Sequence, residues 1–368
     1  MQTNQRRLSV ILPTYNEKDN IKFIIDQILY LTNSFQSEIL IIDDNSNDGT
    51  IDLVKSLSKN DSRIRLIRRM GRSGLASAIK EGLLNANGDI AVVMDADGQH
   101  QPSDVLNGLN YLNSSNYDLI IGSRFINNAN IKGLSSRRRE GSSLANYLSR
   151  LSLSNNYNEL TDYMSGCMIL SLKSCLPYIY KVDVNGFKFL YELLSVSKGK
   201  LKVDEIPLIF QPRRYGQSKL ELSILWDFVI SFLHTLSFRL LPRRAISFAL
   251  VGATGVLIQL SVTYILMGLF IFDFEKALPL AVIIAASSNY LINNLLTFRA
   301  ERLSGWLLLK GLLKFLLVAS LPVIANIGLA TSFYQSVYQS TFLAQLAGIF
   351  VVFIWNYVAS SRFVWNTP

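Results

Sequence analysis

Three stretches of this chain carry no Asp, Glu, Lys or Arg: Ala245–Phe272, Ala277–Phe298, and everything between Lys314 and Arg362. A helix that crosses a bilayer needs roughly 20 predominantly apolar residues. The first two stretches meet that length once and the third meets it twice. The spacing therefore predicts a membrane domain of four helices, at about 245–270, 277–298, 315–334 and 342–361. A buried soluble bundle is the alternative. The composition agrees with the membrane reading. Only 17% of the 368 residues are charged, 49% are hydrophobic and the mean hydropathy is +0.26. That balance is too apolar for disorder and too charge-poor for an ordinary large soluble enzyme.

The charges that flank these stretches give an orientation. Arg299, Arg302, Lys310 and Lys314 lie between the second and third, whereas Gln335–Thr341 is uncharged and Asp273–Lys276 holds a single Lys. By the positive-inside rule, both termini and the middle connection are expected in the cytoplasm. The N-terminus lacks an apolar signal-peptide core, so the preceding domain is also expected in the cytoplasm. The net charge of +9 suits anionic lipid, so no nucleic-acid partner is needed to explain it. Cys167 and Cys175 have neither metal-ligand spacing nor the pattern of a disulfide framework. A repeat is also visible. Phe248-Ala-Leu-Val251 is similar to Phe315-Leu-Leu-Val318, and Asn289-Tyr290 to Asn356-Tyr357, both at an offset of 67. A duplicated helix pair would produce this, related by an axis along the membrane normal; coincidence within a narrow transmembrane composition competes with it.

Residues 1–218 read differently. Apolar runs Leu8–Leu12, Glu38–Ile42, Arg63–Ile67, Ile90–Met94 and Asp118–Ile121 alternate with helical stretches Asn20–Leu31, Thr50–Ser58, Ser73–Ala86 and Ser103–Asn113. Such alternation predicts an α/β domain with a parallel, Rossmann-like sheet. Its ligand is expected beyond the carboxyl ends of the strands. Between this domain and the first span, residues 219–242 place Leu222, Leu225, Trp226, Val229, Phe232, Leu233, Leu236 and Leu240 at helical spacing. They predict interfacial amphipathic helices, with a buried helix of the soluble domain as the alternative.

The chemistry concentrates after the strands. Val93-Met-Asp95-Ala-Asp97-Gly-Gln99 puts two carboxylates and an amide at a strand end. A hard divalent cation takes oxygen ligands, one or two from protein and the others from phosphates, which suits Asp97 and Gln99. Pro13-Thr-Tyr15-Asn-Glu17, Asp43-Asp44-x-Ser46-x-Asp48, Gly122-Ser-Arg124-Phe125 and Phe210-x-x-Arg213-x-x-Gly216-x-Ser218-Lys219 accompany it in order. This set resembles the inverting family-2 glycosyltransferases with a GT-A fold, and most of all the dolichol- and polyprenyl-phosphate hexose synthases. The C-terminal spans resemble the GtrA-like membrane module.

The resemblance implies that Pro13, Tyr15, Glu17, Ile42 and Asp44 line a nucleoside pocket. It implies that Asp95, Ala96, Asp97 and Gln99 handle the diphosphate through Mg2+ or Mn2+. Arg124, Arg138, Ser142, Arg213 and Lys219 would gather around donor and acceptor phosphates, with Asp95, Asp97, Gln99, Arg124, Arg213 and Lys219 carrying catalysis. The segment Thr161-Asp162-Tyr-Met-Ser165-Gly166 also matches one that the family places near the sugar, with Cys167-Met168 where an aromatic residue and Arg are usual. His100 is expected in the wall of the site and His234 in packing or at the membrane interface. The implied reaction is a single displacement with inversion, from a nucleotide sugar to a polyprenyl or dolichyl monophosphate. A phosphate monoester has its second pKa at about 6, so this nucleophile needs no dedicated base near neutrality. The string Asp95–His100 favours GDP-mannose over UDP-glucose as donor. Membrane lipid is the expected environment, and an oligomer is compatible with the sequence. A processive polysaccharide synthase is the second enzyme reading, on Gln211-Pro-Arg213-Arg214-Tyr215, where Tyr stands in place of that motif's Trp. A lipid-linked-sugar transporter is the third.

Overall fold

The computed structural model describes residues 6–71, 74–127, 129, 136–184, 188–209, 211, 222–320 and 341–367. These fall into two compact units, Met1–Leu236 and Ser237–Pro368. The division lies inside the segment 219–242 that the sequence sets apart.

The first unit is built on a seven-stranded sheet of order β3-β2-β1-β4-β6-β5-β7. The strands are β1 Leu8–Thr14, β2 Ser37–Asp43, β3 Ile64–Arg68, β4 Ile90–Val93, β5 Leu119–Ser123, β6 Met168–Ser171 and β7 Val203–Pro207. The five expected strands are present within a residue or two, but the sheet is mixed rather than parallel. β6 runs antiparallel to both β4 and β5, while β5 pairs with β7 in parallel. Neither β6 nor β7 stands out in sequence. β6 is four residues long, and β7 carries two adjacent acids, Asp204 and Glu205, at a sheet edge.

Burial on both faces explains the unbroken apolar runs of the central strands. Ile11, Ile42, Val93, Ile121 and Met168 face one core layer. Val10, Ile41, Val92, Ile120 and Ile169 face the other. The period of two is that of a strand whose alternate side chains point to opposite faces. Helices α1 Lys18–Leu31, α2 Thr50–Asn60, α3 Leu75–Leu84 and α4 Pro102–Ser114 cover the sheet, followed by α5 Ser136–Ser152, α6 Leu172–Ile179, α7 Phe189–Ser197 and α8 Leu222–Leu236. The last of these belongs to the sheet unit. Phe228 is buried in the core with its ring 6.4 Å from that of Tyr191, and Ser231 and His234 are buried too, while Leu225 and Leu236 stay exposed.

The second unit is helical: α9 Arg243–Gly268, α10 Phe274–Ile292, α11 at 306–320 and α12 Thr341–Phe363. Between α10 and α11 lie a π-helical turn, Asn293–Thr297, and a short 3-10 turn, Arg299–Glu301. Arg243–Gly268 and Pro279–Thr297 are long and apolar enough to cross a membrane, with mean hydropathies of 1.9 and 1.3. α11 begins nine residues before the expected third span, so Lys310 and Lys314 stand on a helix rather than in a connection. The later part of that expected span lies outside the described residues.

The aromatic contacts of this unit are reciprocal under the 67-residue offset. Phe248 packs on Tyr357 with ring centroids 5.7 Å apart, and Phe315 packs on Tyr290 at the same separation. Phe298 and Trp365, themselves one offset apart, stack on each other at 4.1 Å and 11°. Swapped partners and a self-paired central residue are what a two-fold relation between repeats produces.

Candidate active site

Four loops meet at the carboxyl ends of β1, β2, β4 and β5. After β1 the chain turns at Asn16, whose φ of +58° is a left-handed conformation that Asn tolerates. Its N–H donates to Ser46 Oγ at 2.8 Å, and its side-chain oxygen accepts from the Asn47 N–H at 3.0 Å. Glu17 N–H donates to Thr50 Oγ1 at 3.0 Å. Asp43 closes the same junction from beneath. Its carboxylate is fully buried and accepts from Thr14 Oγ1, Ser46 N–H and Ser46 Oγ at 2.7–2.8 Å. The loops after β1 and β2 are thus tied into one wall, with Tyr15 exposed and Asp44 partly exposed on it.

Asp44 accepts the Gly74 N–H at 2.8 Å and pairs with Arg69. Burial pushes its carboxyl above the ordinary range, and the Gly74 N–H and Arg69 act against that rise. Pro13 is the penultimate residue of β1, and Tyr15, Glu17 and Asp44 lie on the two loops joined in this way. Ile42 departs from the expectation: its side chain is wholly buried in the core. A residue in the last turns of a central strand must alternate with its neighbours, so only its main chain can face a ligand.

After β4, the acidic turn is held by its own main chain. Gln99 N–H donates to Asp97 Oδ1 at 3.0 Å across Gly98, whose φ of +79° lets the chain reverse there. Gln99 Nε2 donates to the Gln211 carbonyl at 3.2 Å, and this leaves the amide oxygen as its acceptor end. Ala96 is buried in the core beneath the turn. His100 is 2% exposed; Nδ1 accepts the Asp95 N–H at 3.0 Å and Nε2 is 3.9 Å from Asp95 Oδ2. With Nδ1 accepting, the neutral ring carries its proton on Nε2, on the side of the carboxylate. His100 is therefore a wall of the site. A Cβ added to Gly166 would come within 2.9 Å of Asp95 Oδ2, so that glycine leaves room for the carboxylate.

Asp95, Asp97 and Gln99 offer only oxygen donors of the kind a hard divalent cation takes. Among the described residues, no group of three or more His, Cys, Asp or Glu could hold a metal ion.

Arg124 follows β5, and its guanidinium is held from one side by Asp162. Nε and Nη2 donate to Asp162 at 2.7 and 2.9 Å, a two-pronged pair with a fully buried carboxylate. Glu205 of β7 supports that carboxylate from behind, accepting the N–H groups of Thr161 and Asp162 at 2.9 Å each. Burial holds the Glu205 carboxyl above the usual range, against these hydrogen bonds. Asp162 thus acts by holding Arg124. Ser142 is half-buried on α5, and no hydrogen bond or ion pair joins it to these groups among the described residues. Arg213, Lys219 and the Arg138 side chain lie outside the described residues.

Arg69 and Glu205 escaped the sequence reading. Arg69 sits in Arg68-Arg69 at a strand end, a pattern shared with any solvated surface pair. Cys167 and Cys175 are free and buried, and burial pushes the Cys167 thiol up to about 12. Buried in apolar surroundings, both serve packing.

Residues 9–176 match the family model for glycosyl transferase family 2, and residues 247–365 that for the GtrA/DPMS transmembrane domain. With the mixed α/β sheet and its acidic turn, this makes the chain a glycosyltransferase that carries a transmembrane module. A dolichol-phosphate mannosyltransferase of Pyrococcus furiosus is 30% identical over 365 residues, 98% of this chain and 100% of that protein. One from Saccharomyces cerevisiae is 33% identical over 224 residues, covering 58% of this chain and 80% of its own. The chain belongs to the dolichol-phosphate mannosyltransferase family. Among solved structures, glucosyl-3-phosphoglycerate synthase from Mycobacterium tuberculosis, in complex with Mn2+, UDP and glucosyl-3-phosphoglycerate, matches with a TM-score of 0.48 and 18% identity, over 63% of this chain and 80% of that one. Mannosyl-3-phosphoglycerate synthase from Rubrobacter xylanophilus matches with a TM-score of 0.48 and 17% identity, over 64% and 74%.

Proposed function

We propose that this protein transfers mannose from GDP-mannose to the phosphate of a polyprenyl or dolichyl monophosphate, with inversion at the anomeric carbon. The full-length similarity to the Pyrococcus furiosus dolichol-phosphate mannosyltransferase carries this reading, because it spans the sheet unit and the helical unit alike. The wall formed by Pro13, Tyr15, Glu17 and Asp44 receives the nucleoside. Asp97 and Gln99 would hold Mg2+ or Mn2+, with Asp95 beside them in sequence. Such a cation neutralises charge that develops on the leaving diphosphate. Arg124, held by Asp162, faces the same region and adds fixed positive charge. Arg213, Lys219, Arg138 and Ser142 receive the acceptor phosphate.

The protein's own task is alignment. It must bring two anionic phosphate groups together and exclude water while the sugar is transferred. The sheet unit and both termini lie on the cytoplasmic side of the membrane in this reading. The deciding experiment offers the purified protein GDP-mannose and UDP-glucose separately, each with polyprenyl phosphate and Mg2+ or Mn2+. Mass spectrometry of the lipid fraction is expected to find polyprenyl-phosphate mannose. A glucose product from UDP-glucose alone would replace the donor assignment; a long glycan would replace the acceptor assignment.

A further inference from the structure

Beneath the nucleoside wall lies a cation that none of the motifs accounts for. Arg69 follows β3, and its side chain is 1% exposed. Nη1 donates to Asp44 Oδ1 and lies 3.4 Å from the Gly74 carbonyl. Nη2 donates to the Ser77 hydroxyl, and Nε is 3.2 Å from Glu81 Oε2. The Arg69 main-chain N–H donates to the Asp43 carbonyl at 2.8 Å. One guanidinium thereby ties the end of β2 to the first two turns of α3. The other Asp44 oxygen is held by the Gly74 N–H, at a residue whose φ of +115° is open to glycine. A guanidinium enclosed in this way cannot reach a substrate phosphate.

We propose that Arg69 is a positioning residue of the donor site, holding Asp44 ionised and oriented as an acceptor for the nucleoside of a nucleoside diphosphate. The inference rests on the reading that the loops after β1 and β2 take the nucleoside. Its physical basis is the charge balance around Asp44. Among the described residues, the charged groups that face it are its chain neighbour Asp43, Arg69 at the end of β3 and, through Arg69, Glu81 on α3. Of these only Arg69 is positive. Burial and Asp43 favour the protonated acid, while Arg69 and the Gly74 N–H favour the carboxylate. Without Arg69 the balance shifts toward the protonated form, which presents a hydrogen where the nucleoside requires an acceptor.

The test is binding of GDP and of UDP to the full-length protein by calorimetry, with Mg2+, from pH 6 to pH 8.5. Each affinity is expressed relative to wild type at the same pH, which removes the titration of the nucleotide itself. Arg69→Met is expected to bind more weakly throughout, with the deficit growing as the pH falls, since loss of the guanidinium leaves burial and Asp43 to favour the protonated acid. Arg69→Lys keeps the charge and is expected to hold its ratio within about twofold over the range. A deficit in Arg69→Met that does not change with pH, or a steep one in Arg69→Lys, overturns the proposal and leaves Arg69 a structural cation. Should Arg69→Met not fold, the pair Arg69→Met with Asp44→Asn removes the stranded charge. It is expected to fold and to bind weakly without pH dependence; failure of that pair to fold also overturns the proposal. If wild type binds neither nucleotide, the nucleoside reading itself falls, and this inference with it.

Discussion

Asp162→Asn tests how far Arg124 depends on its partner. The Asp162 carboxylate accepts four hydrogen bonds: from Arg124 Nε, Nη2 and N–H, and from the Met164 N–H at 3.2 Å. Asparagine offers one oxygen in place of two, and its NH2 would face donors that have no acceptor left. Breaking a buried pair by removing one partner costs about 3–5 kcal/mol. The first unit spans Met1–Leu236, and in domains of that size each kcal/mol moves Tm by about 2–4 °C. A loss of 3 kcal/mol therefore predicts a fall of about 6–12 °C, read by thermal melting of purified protein. Part of that loss is the stranded cation, so Arg124→Met in the same chain should recover it, with a coupling of about 2 kcal/mol in a double-mutant cycle. A fall of under about 2 °C, or additive single effects, would refute the account of Arg124 as a residue held by Asp162.

Three further outcomes follow from the site and the chain. Asp97→Asn keeps the shape of the turn and removes a charge from the donor set, so turnover should fall at least about a hundredfold at saturating Mg2+ or Mn2+; near-wild-type turnover would remove Asp97 from the metal site. Lys219→Ala should weaken use of polyprenyl phosphate strongly and leave nucleotide affinity within a few-fold, because a lipid-borne phosphate is met near the membrane surface, where each methylene withdrawn from the bilayer costs about 0.8 kcal/mol. Loss of nucleotide binding with unchanged acceptor dependence would move Lys219 to the donor site. In a background without Cys167 and Cys175, a cysteine at 273 should react with a membrane-impermeant reagent only from the face opposite the sheet unit. Labelling from the cytoplasmic face would overturn the orientation.

The parts of this protein that were legible in sequence are those whose physics is local. Charge-free stretches of bilayer length can be counted along the chain, and so can the apolar runs of β1, β2 and β4, because strands buried on both faces need no polar alternation. The acidic turn at Asp95–Gln99 was legible for a related reason. A strand end followed by carboxylates and a glycine with positive φ is a short-range pattern. The offset of 67 was visible too, since duplication copies residues in order.

What the tertiary structure decided involves partners distant in the chain. Antiparallel β6 is four residues whose direction is set by lying between β4 and β5. Arg124 carries one label in sequence, a basic residue after a strand; its geometry comes from Asp162, 38 positions later. Arg69 reads as a surface arginine until α3 folds over it and places Ser77 and Glu81 around a guanidinium already facing Asp44. A sequence states which charges a chain possesses. Only the packed fold determines which of them lose water and must find one another, and that pairing separates the residues that touch a substrate from those that hold them in place.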